Sequence, residues 1–310
     1  MYCFEAFVVV LPEGARFSHE LLCCRKYEQQ YREKKINLSR AYRNFRSWRF
    51  VFAYEQRMAN CEQRTTNREF QNHYTMCTVT YIPKGAGGFI LTTNRDEQAV
   101  RSPKDLSKTA GAPQLLFPRD DGAGGSWVVA SDIGQAVCIL NGAFERHQRR
   151  SGYRLSRGIM ALEFFTFPSV EKFIQHFDFQ DIEPFTMIIY EPDALYELRW
   201  DEQRPHLKAL DTEGYYIWSS ATLYEPTVQA KREQWFADWL RGRQDFSLEA
   251  IMDFHQNAGD GDPWNDVIMN RGFVQTVSIT NIIKAPQAST MRYHDLLRGA
   301  VKQDQLIIPF

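Results

Sequence analysis

The stretch MCTVTYIPKGAGGFILTTNRDE, from Met76 to Glu97, constrains the fold more than any other part of the chain. CTVTYI alternates in the manner of a strand, PKGAGG supplies turn residues, and FILTT returns as a second strand. Two strands joined so closely pair antiparallel. The hairpin therefore carries Asn94, Arg95, Asp96 and Glu97 back alongside Cys77.

Later segments repeat the pattern. SWVVASD and QAVCILN flank a turn at Gly134, and FTMIIYEPDALYELRW folds about Pro192 and Asp193, which predicts a second and a third hairpin. Helices fall between the hairpins. SRGIMALEFF and SVEKFIQHF each open on a serine able to cap the orphan amides of a first turn. EPTVQAKREQWFADWLRG sets Trp235, Phe236, Trp239 and Leu240 on one side, SLEAIMDFHQN reads as another helix, and VQTVSITNII returns to strand. The residues predict a mixed α/β chain dominated by antiparallel sheet, with no internal repeat after Met76.

A chain of 310 residues has room for a substantial core, and a hydrophobic fraction of 44% with a formal charge of -1 indicates a globular protein. That balance makes nucleic acid an unexpected partner. No apolar run approaches the roughly 18 residues of a membrane span, and AFVVVL near the start follows Glu5 where a signal peptide has a basic flank. A cytoplasmic protein is expected.

The overall balance conceals two compositions. Residues 1–75 hold 13 Lys and Arg against 8 Glu and no Asp, whereas the remainder holds 24 basic residues against 30 acidic ones. Aromatics and charges in 1–75 fall without a sustained apolar face. A basic, aromatic-interleaved stretch is compatible with an RNA-binding arm. The favoured reading is an extension, upstream of the true start or disordered, followed by one domain over 76–310.

The chemistry concentrates at Cys77. A nucleophilic cysteine needs a base for its proton and positive charge near the thiolate. With initiation at Met76 and removal of that methionine, Cys77 carries its own base, because an α-amine has a reference pKa of about 7.7 to 8.0. Arg95 then supplies positive charge and Asp96 orients the amine, although an adjacent Arg and Asp also suit a solvated turn or salt bridge. Strand alternation puts these two on opposite faces, so a bend near Asn94 is expected if both reach Cys77. Asn141 closes the strand AVCILN; with Gly142 it suits a turn, or its amide suits an oxyanion hole. DDGAGG at 120–125 is a turn or a place of close backbone approach. His147, His176, His206 and His255 lack metal spacing, and four of the six cysteines lie in 1–75 without zinc spacing. No metal or cofactor is expected.

MCTVTYIPKGAGGFILTTNRDE, FPRDDGAGGSWVV, CILNGAFERH, YRLSRG, EPFTMIIY and WSSATLY together resemble the NRDE family, whose eukaryotic members include the transport and Golgi organisation protein. Members begin at the Met-Cys pair, so the resemblance implies a start at Met76. The family is similar to N-terminal nucleophile (Ntn) hydrolases such as penicillin V and bile-salt acylases. That similarity implies an α+β fold: a four-layer αββα sandwich of antiparallel sheets. It also implies Cys77 as nucleophile, Asp96 as the aspartate on the returning strand, and looser counterparts in Arg95, Asn141 and Arg271.

Two functions follow. One is an amidohydrolase that cleaves a non-peptide C–N bond of a small molecule through a Cys77 thioester. The other is a carrier of haem or an acyl lipid on the same fold, since relatives have been linked to haem and lipid handling. A terminal cysteine with Arg and Asp returning beside it favours chemistry over carriage.

Overall fold

The computed structural model describes residues 76–150, 152–222 and 225–309. The expectations for residues 1–75 lie outside the described residues. Residues 72–310 form a compact unit of their own.

The predicted first hairpin is β1 (Met76–Gly85) with β2 (Gly88–Glu97). The second is β5 (Val128–Ser131) with β6 (Ala136–Asn141), and the third is β7 (Phe185–Glu191) with β8 (Ala194–Trp200). The third turns on two residues, with Asp193 at a φ of 66°, a conformation that Asp tolerates better than most residues. Shorter strands β3 (Leu106–Lys108), β4 (Leu115–Pro118), β9 (Pro205–Leu210) and β10 (Tyr216–Ser219) complete the set up to β11 (Gln275–Ala285). The segment after Lys284, in which the sequence suggested no element, forms β12 (Ala288–Asp295) and β13 (Ala300–Ile307).

All strand pairs within the two sheets are antiparallel, in the orders β10-β1-β2-β11-β12-β13 and β3-β4-β5-β6-β7-β8-β9. Alternation along each strand divides its side chains between two cores. Cys77, Val79 and Tyr81 of β1 meet Cys138 of β6 and Ile188 of β7 between the sheets. Met187 and Ile189 face outward instead, under α1 (Arg157–Glu163) and α2 (Val170–His176), where Met160, Phe164 and Phe173 cover them. On the far side, Ile82 and Ile90 pack against Phe236 of α3 (Pro226–Leu240) and against Ile251 and Phe254 of α4 (Leu248–Asn257). The layers run α, β, β, α, as the resemblance implied. Ser156, Ser169 and Ser247 each accept a first-turn amide of α1, α2 and α4. Among the described residues, no helix is long and apolar enough to cross a membrane.

Beneath β1 and β2 runs a polar seam. Arg232 of α3, fully buried, donates to Thr78 Oγ1 and to the carbonyls of Asn265 and Asp266. His255 of α4 lies 2.7 Å from Thr80 Oγ1 and 2.6 Å from Asn94 Oδ1. Burial, aided by Arg232, pushes the His255 pKa down to about 3, so its imidazole is neutral at ordinary pH. The Asn94 amide donates to the carbonyls of His255 and Val267. This pinning keeps β2 continuous through Asn94, so the expected bend is absent. The irregularity falls on β11, where Thr276 pairs with Asp96 and Ser278 with Arg95, leaving Val277 bulged.

Candidate active site

The hairpin register sets Cys77 directly opposite Arg95 and Met76 opposite Asp96. Cys77 and Arg95 therefore share the face toward the second sheet, and Asp96 lies on the helix face. There its Oδ1 accepts the Thr276 hydroxyl at 2.5 Å. Arg95 and Cys77 line one cavity of about 750 Å³ together with Asn141, at the end of β6.

Cys77 is a free, buried thiol, and so is Cys138 of β6, which shares its core between the sheets. Burial first, then Cys138 and Asp96, push the Cys77 pKa well up, and Arg95 only partly opposes them. Burial likewise pushes Cys138 up to about 12. In this chain, with Cys77 N in an amide, the nucleophile candidate is a protonated thiol.

Arg95 is held on several sides. Its guanidinium donates to Asp120 Oδ2 and, at 2.8 Å, to the Arg101 carbonyl, and it stacks 4.1 Å from the centroid of the Trp127 ring. Arg101 in turn meets Glu97 Oε2 at 2.7 Å and Asp120 Oδ2 at 2.5 Å. Burial opposes charge on Asp120, but Arg95 and Arg101 outweigh it and hold the carboxyl below its usual range.

Asp120 also builds the loop that floors the cavity. Its Oδ1 accepts the amides of Gly122 and Ala123, and its backbone closes the turn with Gly124 and Gly125. The close approach anticipated for DDGAGG is to the start of α1. A Cβ on Gly125 would lie 2.2 Å from the Gly158 carbonyl carbon. The glycine lets this loop and the helix touch backbone to backbone.

More of the lining comes from α1 and its approach. Arg157 donates to the Pro184 carbonyl at 2.9 Å and pairs with Glu183 at 3.1 Å. Glu183 also contacts His147 at 3.3 Å and Arg149 at 3.7 Å. Despite burial, these partners hold its pKa below the usual value. Arg149, Arg150 and Tyr153 also line the cavity.

Asn141 lines the cavity, and its carbonyl accepts the Ala221 amide at 3.1 Å. The Gly142 amide is committed to the Pro184 carbonyl at 3.0 Å, so it is not spare for an oxyanion. Gly142 has a φ of 81°, and a Cβ there would meet Thr222 Cγ2 at 2.8 Å. Arg271 does not line the cavity. It lies in the connection from α4 to β11, where it donates to the Trp264 carbonyl at 3.0 Å and reaches Asn265 Oδ1 at 3.3 Å. The structure thus brings Cys77, Arg95 and Asn141 to one cavity, with Asp96 behind the same strand and Arg271 elsewhere.

Sequence reading singled out no role for Glu97, Arg101, Asp120, Arg157, Glu183 or Ser220. All but Arg101 did lie inside the quoted motifs: Glu97 in MCTVTYIPKGAGGFILTTNRDE, Asp120 in FPRDDGAGGSWVV, Arg157 in YRLSRG, Glu183 in EPFTMIIY and Ser220 in WSSATLY. Among the described residues, no group of His, Cys, Asp and Glu could hold a metal ion.

The sequence model of the family described as Transport and Golgi organisation 2 matches residues 76–284. No curated protein matches the chain. Solved structures similar to it include two variants of conjugated bile acid hydrolase from Clostridium perfringens. Each is 10% identical, with a TM-score of 0.43 over 76% of this chain and 97% of the other. An N-acylethanolamine-hydrolyzing acid amidase ortholog from Caenorhabditis elegans is 12% identical, with a TM-score of 0.42 over 75% of this chain and 100% of its own.

Proposed function

The chain belongs to the Transport and Golgi organisation 2 family, and from that premise we propose that it is an amidohydrolase whose working form begins at Cys77. The observation that carries this reading is the pairing of Cys77 with Arg95 across one hairpin, both lining a cavity that also receives Asn141. A cavity of about 750 Å³ suits a small-molecule amide.

In this reading, removal of residues 1–76 turns the Cys77 nitrogen into an α-amine. The amine takes the Sγ proton as Sγ attacks the carbonyl carbon, and the amide of Asn141 donates to the oxyanion. Arg95 stabilises developing thiolate charge, and Asp96, whose strand partner Met76 has gone, helps hold the ammonium. Collapse of the tetrahedral intermediate breaks the C–N bond, and the ammonium returns its proton to the leaving nitrogen. Water then attacks the thioester while the amine accepts the water proton; the acid leaves and the thiol re-forms. An amide nitrogen at the same place is no base, so the mechanism requires the free terminus.

The test compares the chain from Met1 with a chain starting at Cys77 on acetyl, octanoyl and palmitoyl para-nitroanilides. Turnover confined to the Cys77-start form supports the reading, and equal turnover by both overturns it. The carrier alternative, for haem or an acyl lipid, instead predicts equal ligand affinity in the two forms and no turnover.

A further inference from the structure

Ser220, the residue after β10, grips the backbone of Cys77 at both ends. Its hydroxyl oxygen accepts the Cys77 N–H at 3.0 Å, and its own N–H donates to the Cys77 carbonyl at 3.1 Å. The hydroxyl also stands 3.5 Å from that carbonyl. Ser220 is only 1% exposed, so water does not compete for these contacts. The placement follows from register, since β10 pairs with β1 through Ser219 and Thr78, which delivers Ser220 beside Cys77.

A strand amide is already oriented by its own planar peptide bond, so the Ser220 oxygen satisfies its buried N–H without needing to set its direction. A terminal amine is different, because it rotates about N–Cα and directs its lone pair at its own thiol in only one staggered orientation. We propose that Ser220 is the positioning residue for the α-amine of Cys77: its hydroxyl takes one amine N–H and its backbone clamps the carbonyl, leaving the lone pair to face Sγ. This rests on the amidohydrolase reading and adds to it a residue that touches no substrate. Asp96 has a separate part, since it lies on the helix face and already accepts Thr276. It supplies charge, whereas Ser220 supplies direction.

An oxygen that accepts from the ammonium favours the protonated form, so the hydroxyl raises the amine pKa. The experiment uses chains starting at Cys77 with a nitrogen-15 label on cysteine, as wild type, Ser220→Ala and Ser220→Thr. The α-amine is titrated by NMR, and hydrolysis of the para-nitroanilides is followed against pH. Ser220→Ala is expected to titrate at lower pH, to move the acid limb of kcat/KM the same way, and to lose about tenfold or more in kcat. Ser220→Thr, which keeps the hydroxyl, restores all three.

An amine that titrates identically in wild type and folded Ser220→Ala overturns the proposal, as does a lowered melting temperature with an unmoved titration. If wild type cleaves none of the anilides although its amine responds to Ser220→Ala, the amidohydrolase reading fails for these substrates and the positioning role stands on the titration.

Discussion

One carboxylate oxygen of Asp120 accepts from both Arg95 and Arg101, so the charge of the guanidinium that shares a face with Cys77 is partly offset by a buried carboxylate. The positive charge expected beside the thiolate is present but partly offset, so Arg95 only partly opposes the burial that keeps the Cys77 thiol protonated in this chain.

Asp120→Asn removes that offsetting charge and leaves Arg95 acting on Cys77. Alkylation of Cys77 by iodoacetamide at pH 7.5 is expected to be at least about threefold faster. Breaking a buried ion pair should also cost roughly 3 to 5 kcal/mol of stability. Peptide mapping by mass spectrometry measures the first and urea unfolding the second. An unchanged alkylation rate would show that Arg95 does not set thiol reactivity.

Asn141→Ala and Asp96→Asn separate catalytic from structural roles in the Cys77-start chain. Loss of an oxyanion donor typically costs about 100 to 1,000-fold in rate, or roughly 2.7 to 4 kcal/mol, and Asn141→Ala is expected to reduce kcat on that scale with little change in binding. Asp96→Asn should lower kcat more than it weakens binding. Residues that merely hold a turn would instead lower the melting temperature and reduce activity only with the folded fraction.

His255 makes stability depend on pH. Its folded pKa is about 3, against 6.5 for the unfolded chain. Below pH 6.5 the unfolded chain takes up a proton that the folded chain refuses. The contribution of neutral His255 is therefore intact above pH 6.5 and is lost progressively as pH falls toward 3. One proton corresponds to about 1.4 kcal/mol per pH unit. Urea midpoints of wild type and His255→Gln at pH 7.5, 6 and 4.5 test this. Wild type should lose more stability than His255→Gln on acidification, and parallel losses would contradict it.

Gly125→Ala forces a side chain into the backbone of α1 and is expected to cost about 1 to 3 kcal/mol or more. Gly111→Ala is the control, because its nearest neighbour lies 4.0 Å from the new Cβ and its backbone is in an ordinary region. Differential scanning calorimetry should show a lowered melting temperature for the first and none for the second. Equal melting temperatures would show that the loop and helix do not touch backbone to backbone at Gly125.

The legible parts of the fold are those with strong local signals. The three hairpins carry alternation and glycine or proline turns, and the serine caps stand directly before their helices. β12 escaped notice because half of its inward set is polar: Ser289 and Asp295 are buried beside Met291 and Tyr293. At the site, Cys77 and Arg95 were legible as a pair because a single hairpin joins them. Arg157, Glu183 and Ser220 reach the same place from 80 to 143 residues further along, through sheet packing that no local pattern encodes. The expected bend at Asn94 failed for the same reason, since its amide is pinned by His255 and Val267 from distant segments.

Cys77 is expected to attack an amide only when its nitrogen is a free amine. The intact mass of acid-quenched protein after mixing with octanoyl para-nitroanilide, for the Cys77-start chain and for the chain beginning at Met1, measures this. An octanoyl adduct is expected on Cys77 in the first, released by hydroxylamine as a thioester should be, and none in the second. Equal adduct in both chains, or a Cys77-start chain that releases nitroaniline with Cys77→Ala as fast as without it, would rule out attack by a Cys77 activated by its own amine.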